Sequence, residues 1–415
     1  MIKPQNPNKI LFFLFVATVL LPAGRYFEVA NIINIRPQDI VLVFLALAFI
    51  LGALITQKKL RIFGKVFIFP IVILLTLSVF HLPFQGFVTK SFVEIVELLE
   101  ILLVFLIVSN IQITGLKTKD FQNVFKLIFF LSLVGSLIGI GYYFLTQQRF
   151  VETWFIFGFP AFGLYYSYFF YTKEKKRIYL LSFVFFLIFI ILSRVRGVWI
   201  AVLLAPLILW ILQGIRIRRL TINKRAVSAI FLMIFITVAS IIFIPAIQSR
   251  VVSLVEHSQF MEQRYILGLS GLRMAIGTYG LGVGIGNFPY RLSEYLPKEY
   301  YSQFSGRIET GGLGAHSDLI KFLSELGFLG IFFYCLFWYL IYKKIAFRAI
   351  NSISSLILAT FLIEISLESF LSIDYFLRGG GLLLPIILYM FLLFDRKEDY
   401  RESNEKNRFF MSQKV

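Results

Sequence analysis

"AHSDLIKFLSELGFLGIFFYCLFWYLIY", residues 315–342, leaves a polar loop and becomes an apolar run that holds to Tyr342. A helix needs about 20 apolar residues to cross a bilayer, and this run has that length. Its first turns nevertheless carry Asp318, Lys321 and Glu325, and His316 stands at its threshold. Glu325 lies roughly 10 Å past the helix start by rise per residue, so it needs a partner. Lys321, four residues earlier, is placed to neutralise it. Gly327 and Gly330 would let a neighbouring helix approach closely.

The rest of the chain repeats the apolar half of this pattern. Of 415 residues, 58% are hydrophobic and 15% charged, with mean hydropathy +0.81. A soluble domain of this size needs more polar surface, so the composition predicts a multi-pass membrane protein. Twelve spans are expected, at about 10–23, 38–56, 66–82, 92–111, 125–144, 155–172, 178–193, 197–213, 226–246, 318–342, 349–371 and 380–394. The runs are continuously apolar rather than alternating, which predicts helices and not a barrel. The expected fold class is therefore an all-α polytopic membrane protein, with residues 1–395 as one transmembrane domain and 396–415 as a charged, disordered tail. The first run, "ILFFLFVATVLLPAG", has the look of a signal peptide, but eleven further spans favour an uncleaved first helix. One cysteine, Cys335, falls mid-helix and reads as a small core side chain; a lone cysteine provides neither a disulfide framework nor a thiolate metal site.

A net charge of +18 suggests nucleic acid until its distribution is read. With the N-terminus in the cytoplasm, the inner segments hold 27 of the 41 Lys and Arg, and the five short outer loops hold 7. This asymmetry is the positive-inside rule, and it puts both termini in the cytoplasm. The basic excess orients the chain and touches anionic lipid; it is not a nucleic-acid footprint.

One connection differs from the rest. Residues 247–317 form an outer loop of roughly 70 residues between the ninth and tenth spans, and loops that long in compact proteins are usually functional. Its middle, "EQRYILGLSGLRMAIG", is helical enough to lie along a membrane surface. His81, His257 and His316 all fall on the outer side, where there is no ATP, so energy for any reaction must arrive in the substrate. No internal repeat and no soluble catalytic domain is evident.

Three outer stretches are candidates for one site. "LSRVRGVWIA", 192–201, puts Arg194 and Arg196 in a tight turn, either as snorkelling anchors or as a clamp for an anion. Residues two apart on a helix point roughly 200° apart, so at most one of the two faces a common pocket. In "RYILGLSGLRMAIGTYGLGVGIGNF", 264–288, Arg264 and Arg273 fall on opposite faces of a helix. The run of Gly280, Gly282, Gly284 and Gly286 that follows lacks the Lys-Ser/Thr ending of a P-loop. It reads as a flexible turn, or as backbone amides that help bind an anion. His316 reads as an interface residue or as a catalytic base. A transporter reading would instead recruit Glu94, Glu97, Glu100, Glu364 and Glu368 along a path through the bundle. Most of these lie toward span ends, and none forms a symmetric pair between halves.

These stretches resemble a known family. "AHSDLIKFLSELGFLGIFF" looks like the C-terminal signature of the O-antigen ligase and polymerase superfamily: His, small polar residues, a hydrophobic stretch, then Glu-x-Gly-x-x-Gly. "RGVW" resembles the same superfamily's Ser-Arg-Gly-x-Trp turn. Arg264, eighteen residues before Gly282, matches its pattern of Arg, amphipathic helix and Gly-Val-Gly-x-Gly-Asn-Phe. The three motifs occur in the family's order, and the resemblance covers roughly residues 150–395. Two departures stand out. The turn here is Ser193-Arg194-Val195-Arg196-Gly197, so spacing to Gly197 and Trp199 selects Arg196 while the Ser-Arg dipeptide selects Arg194. Tyr279 replaces a common proline.

The resemblance implies a membrane glycosyltransferase of the C-type architecture, working without a metal or other cofactor in a bacterial cytoplasmic membrane. The implied donor is a glycan on undecaprenyl diphosphate at the outer, periplasmic face. The acceptor is a glycan or lipid core, and a chain-length regulator is a further partner. It implies that Arg196 and Arg264, with Arg194 in reserve, bind the diphosphate and that His316 is the base. Glu325, Gly282 and Gly284 support them. A polysaccharide transporter or lipid-linked glycan flippase is the alternative.

Overall fold

The computed structural model describes residues 7–20, 27–29, 33–57, 65–85, 89–110, 116–146, 158–192, 195–217, 259–301, 314–315, 317–348, 350, 352–371 and 381–394. Among the described residues the regular structure is helical, as expected, apart from a short two-stranded antiparallel ribbon in the connection between the first two helices. The order is α1 (Pro7–Leu20), β1 (Phe27–Val29), β2 (Ile33–Ile35), α2 (Pro37–Thr56), α3 (Lys65–Gln85) and α4 (Thr89–Ser109). There follow α5 (Thr118–Thr146), α6 (Gly158–Glu174), α7 (Arg177–Leu192) and α8 (Arg196–Ile217). The second half holds α9 (Gln259–Gly277), α10 (Phe288–Tyr295), α11 (Asp318–Phe347), α12 (Ile353–Leu371) and α13 (Gly381–Phe394).

Every expected span except 226–246, which lies outside the described residues, coincides with a helix. Six of the described helices are long and apolar enough to cross a membrane: α2, α3, α5, α8, α11 and α12. The chain is a polytopic membrane protein.

The helices divide into centre and rim by burial. In α12, 72% of the most apolar window is buried, against 22% in α2. Helix α12 packs on α6, α8 and α11, and it buries Ser355, Thr360, Glu364, Ser366, Glu368 and Ser369 as well as its apolar residues. Helix α2 exposes Val43, Phe44, Leu47, Leu51 and Leu54, the surface a helix presents to lipid rather than to protein.

Helix α11 is two pieces. Gly327, with φ of 67° and ψ of −155°, breaks the helical path inside it. From Ser317 to Gly327 no described residue is exposed, whereas Phe328, Leu329, Phe332 and Tyr339 beyond the break are exposed apolar side chains. The lipid-type surface thus begins at residue 328 and not at 318. The twenty residues from 328 to 347 are by themselves long enough to span. Cys335 lies on this outward stripe and is exposed, because 328, 332, 335 and 339 repeat at helical spacing; it is not a core side chain.

Candidate functional site

Two of the three sequence-predicted loci meet at the C-terminal end of α12, and the third lies at the same end of the bundle. The last carbonyls of a helix have no partner within it and must find donors elsewhere. Arg264, in the second turn of α9, donates Nη1–H to the Leu371 carbonyl at 3.1 Å. Ser317 donates Oγ–H to the Phe370 carbonyl at 2.8 Å. Ser369 donates to the Asp318 carboxylate, and Tyr334 Oη meets Ser369 Oγ at 2.6 Å. His316 lies outside the described residues, but both its chain neighbours, Ala315 and Ser317, are buried at this junction.

Arg196 is the first residue of α8, and its side chain is outside what is described, as is all of Arg194. The end of α8 at which it stands follows from packing. Gln213, near the other terminus, donates to the Ile345 carbonyl at 2.7 Å, close to the end of α11. The start of α8 therefore lies at the same end of the bundle as Ser317 and Leu371. Trp199 of the "RGVW" turn donates its indole N–H to the Ile190 carbonyl at 2.8 Å, capping the last turn of α7. The tryptophan ties the start of α8 to the end of α7.

One to two turns deeper, the glycine run meets the break in α11. Gly280, Gly282, Gly284 and Gly286 all have φ between 77° and 89°, the left-handed region where a Cβ is unfavourable. Val283 N–H donates to the Ser324 carbonyl at 2.8 Å, Gly284 N–H to the Glu325 carbonyl at 2.7 Å, and Phe328 N–H to the Gly280 carbonyl at 3.0 Å. The carbonyls and amide freed where the helix breaks are thus paired with the loop. A Cβ built on Gly282 would stand 2.5 Å from both the Glu325 oxygen and the Gly327 nitrogen. The run is a docked loop, not a flexible turn, and the element that approaches Gly327 is this loop rather than a neighbouring helix.

The anion at the loop is the protein's own. Phe288 N–H donates to Glu325 Oε1 at 3.1 Å, and the Gly286 amide also faces that carboxylate. Lys321 pairs not with Glu325 but with Glu94 of α4, Nζ to Oε1 at 2.7 Å, with both side chains at most 7% exposed. Glu97 and Glu100 belong to another cluster, held by Arg36 at 2.9 and 3.4 Å. Glu364 and Glu368, a turn apart and within about two turns of the Leu371 end of α12, are fully buried and face each other. Nothing in local spacing links Lys321 with Glu94, 227 positions away; only the need of each for a counter-ion was legible. Among the described residues no group of three His, Cys, Asp or Glu is arranged to hold a metal ion.

Polar side chains here gather at one end of a helical bundle, around the Leu371 end of α12. The class so defined is a polytopic helical membrane protein with a polar site at that end. Residues 181–335 match the family model described as O-antigen ligase, so this part of the chain is similar to that family. The matched segment runs from α7 to the middle of α11 and contains Arg194, Arg196, Arg264, Gly282, Gly284, His316 and Glu325. No curated protein matches the chain.

Proposed function

We propose that the protein transfers or polymerises a glycan carried on undecaprenyl diphosphate, at the outer face of a bacterial cytoplasmic membrane, for surface polysaccharide synthesis. The observation that carries this reading is the convergence at the end of α12: Arg264 on the Leu371 carbonyl and Ser317, beside His316, on the Phe370 carbonyl. In the proposed reaction the acceptor hydroxyl attacks the anomeric carbon of the donor sugar while His316 takes its proton. The bond from that carbon to the diphosphate oxygen breaks, and undecaprenyl diphosphate leaves. Negative charge grows on the leaving group, and preorganised guanidinium groups of Arg264 and Arg196 stabilise it without a metal. Arg264 uses one of its five N–H donors on Leu371 and is otherwise exposed, which suits such a role.

Twelve spans, cytoplasmic termini, the charged tail and the C-type glycosyltransferase architecture belong to the same proposal, as do the lipid-core or glycan acceptor and a chain-length regulator. The transporter alternative draws on Glu364 and Glu368, two fully buried carboxylates a turn apart on α12. Purified protein in liposomes, given lipid-linked donor and acceptor on the same side, separates the two. Formation of a glycosidic bond supports transfer. Movement of intact donor between leaflets with no new bond overturns it. Deletion of the gene then distinguishes the acceptor: loss of all polymer from the lipid core marks a ligase, and retention of single repeat units marks a polymerase.

A further inference from the structure

The opposite end of the bundle carries a second site with different chemistry. A cavity of about 600 Å³ opens between α5, α6 and the start of α12. Lys119 and Lys126 of α5 stand at its mouth, both exposed, and neither forms an ion pair among the described residues. Ser352 and Ser354 line the wall where α12 begins, and Tyr166 and Phe170, stacked at 4.4 Å, form part of the floor. Among the described residues no carboxylate lines the cavity. Two described carboxylates close to its lining in sequence are already held, Asp120 by Lys9 at 2.6 Å and Glu174 by Lys176 at 2.8 Å. The cavity is thus a basic basin over an aromatic floor, about 27 Å along α12 from the Leu371 end.

We infer that this cavity binds the phosphate headgroup of an anionic membrane phospholipid, in the leaflet opposite the proposed transfer site. Two lysines with no competing carboxylate among the described residues select an anion, and basic pockets between membrane helices suit lipid headgroups. What separates a lipid from a free phosphate is the surface below the mouth. Phe130, one turn on from Lys126, and Leu137, two turns further, share its helix face and are 58% and 54% exposed. A headgroup on the lysines would lay its acyl chain along that stripe. By the charge asymmetry this end faces the cytoplasm, where anionic lipid is abundant. The inference stands apart from the glycan reaction and does not depend on it.

The test is native mass spectrometry of the full chain in detergent, titrated with phosphatidylglycerol or phosphatidylcholine. Wild-type protein is expected to retain phosphatidylglycerol preferentially. The double variant Lys119→Gln/Lys126→Gln should lose about tenfold or more of that retention while its melting temperature holds, since both side chains are exposed. Lys298→Gln, at the other end of the molecule, should change nothing. Equal retention of the two lipids, or full retention by the double variant, overturns the inference. Displacement of the lipid by millimolar inorganic phosphate also overturns it, by marking a site for free anions.

Discussion

Arg264 divides its guanidinium between two tasks, one N–H anchored on the Leu371 carbonyl and the remainder exposed. Lysine can reach a carbonyl, but as a point charge it cannot hold that bond and also present a planar fork to a diphosphate. Arg264→Lys is therefore expected to lower transfer from lipid-linked donor at least tenfold, in an assay with purified protein. Arg196→Lys should do the same. If Arg194→Ala is the inactive change instead, the turn is misaligned by two residues. His316→Ala should insert normally and lose ~10²–10⁴-fold in turnover. Wild-type activity should fall on acidification, because a base must be neutral to accept a proton and imidazole is the side chain that charges in that range. Near-normal transfer by purified His316→Ala would remove the histidine from the mechanism.

The junction of the glycine loop with α11 makes its own demands. Gly282 has φ of 87° and no room for a Cβ, so Gly282→Ala should destabilise by more than ~1 kcal/mol. Gly141, with nothing within 4 Å of a built Cβ, is the control. As a helical glycine it should tolerate alanine, with a gain of about 0.5–1 kcal/mol. Thermal unfolding in detergent reads both. Lys321→Met would leave Glu94 buried and unpaired, at a cost of about 3–5 kcal/mol, and adding Glu94→Gln should restore part of it. Equal melting of Lys321→Met and wild type would show that the pair is not a structural tie. None of these partners could be read from spacing alone. The glycines announced an unusual backbone, but flexible and docked loops share that composition. What distinguishes them is a break in a helix forty residues later, which offers free carbonyls at the right height. Lys321 and Glu325 at i,i+4 fit local geometry well, yet tertiary neighbours supplied stronger partners to both, a carboxylate for one and backbone amides for the other.

Across the whole molecule, helix positions were legible because bilayer thickness imposes a run length that a sequence cannot disguise. The boundary of the tenth span was not, because residues 318–326 continue into one long helical run, yet none of them is exposed. Hydropathy reports transfer out of water and is blind to which apolar medium receives the chain. Cys335 was misplaced for the same reason. Topology itself is testable through Tyr279, which is 97% exposed in the glycine loop. With Cys335→Ser as background, Tyr279→Cys should react with a membrane-impermeant maleimide added to intact cells. Labelling only after the cytoplasm is opened would reverse the orientation.

The anchors on α12 also bear on how the protein is made. The Ser317 bond reaches 53 residues forward and the Arg264 bond 107. A nascent chain that has emerged as far as Arg348 already contains every arginine and histidine proposed for the site, and it lacks both carbonyls that anchor Arg264 and Ser317. The residues of the site are translated first, and the elements that hold them in place come last.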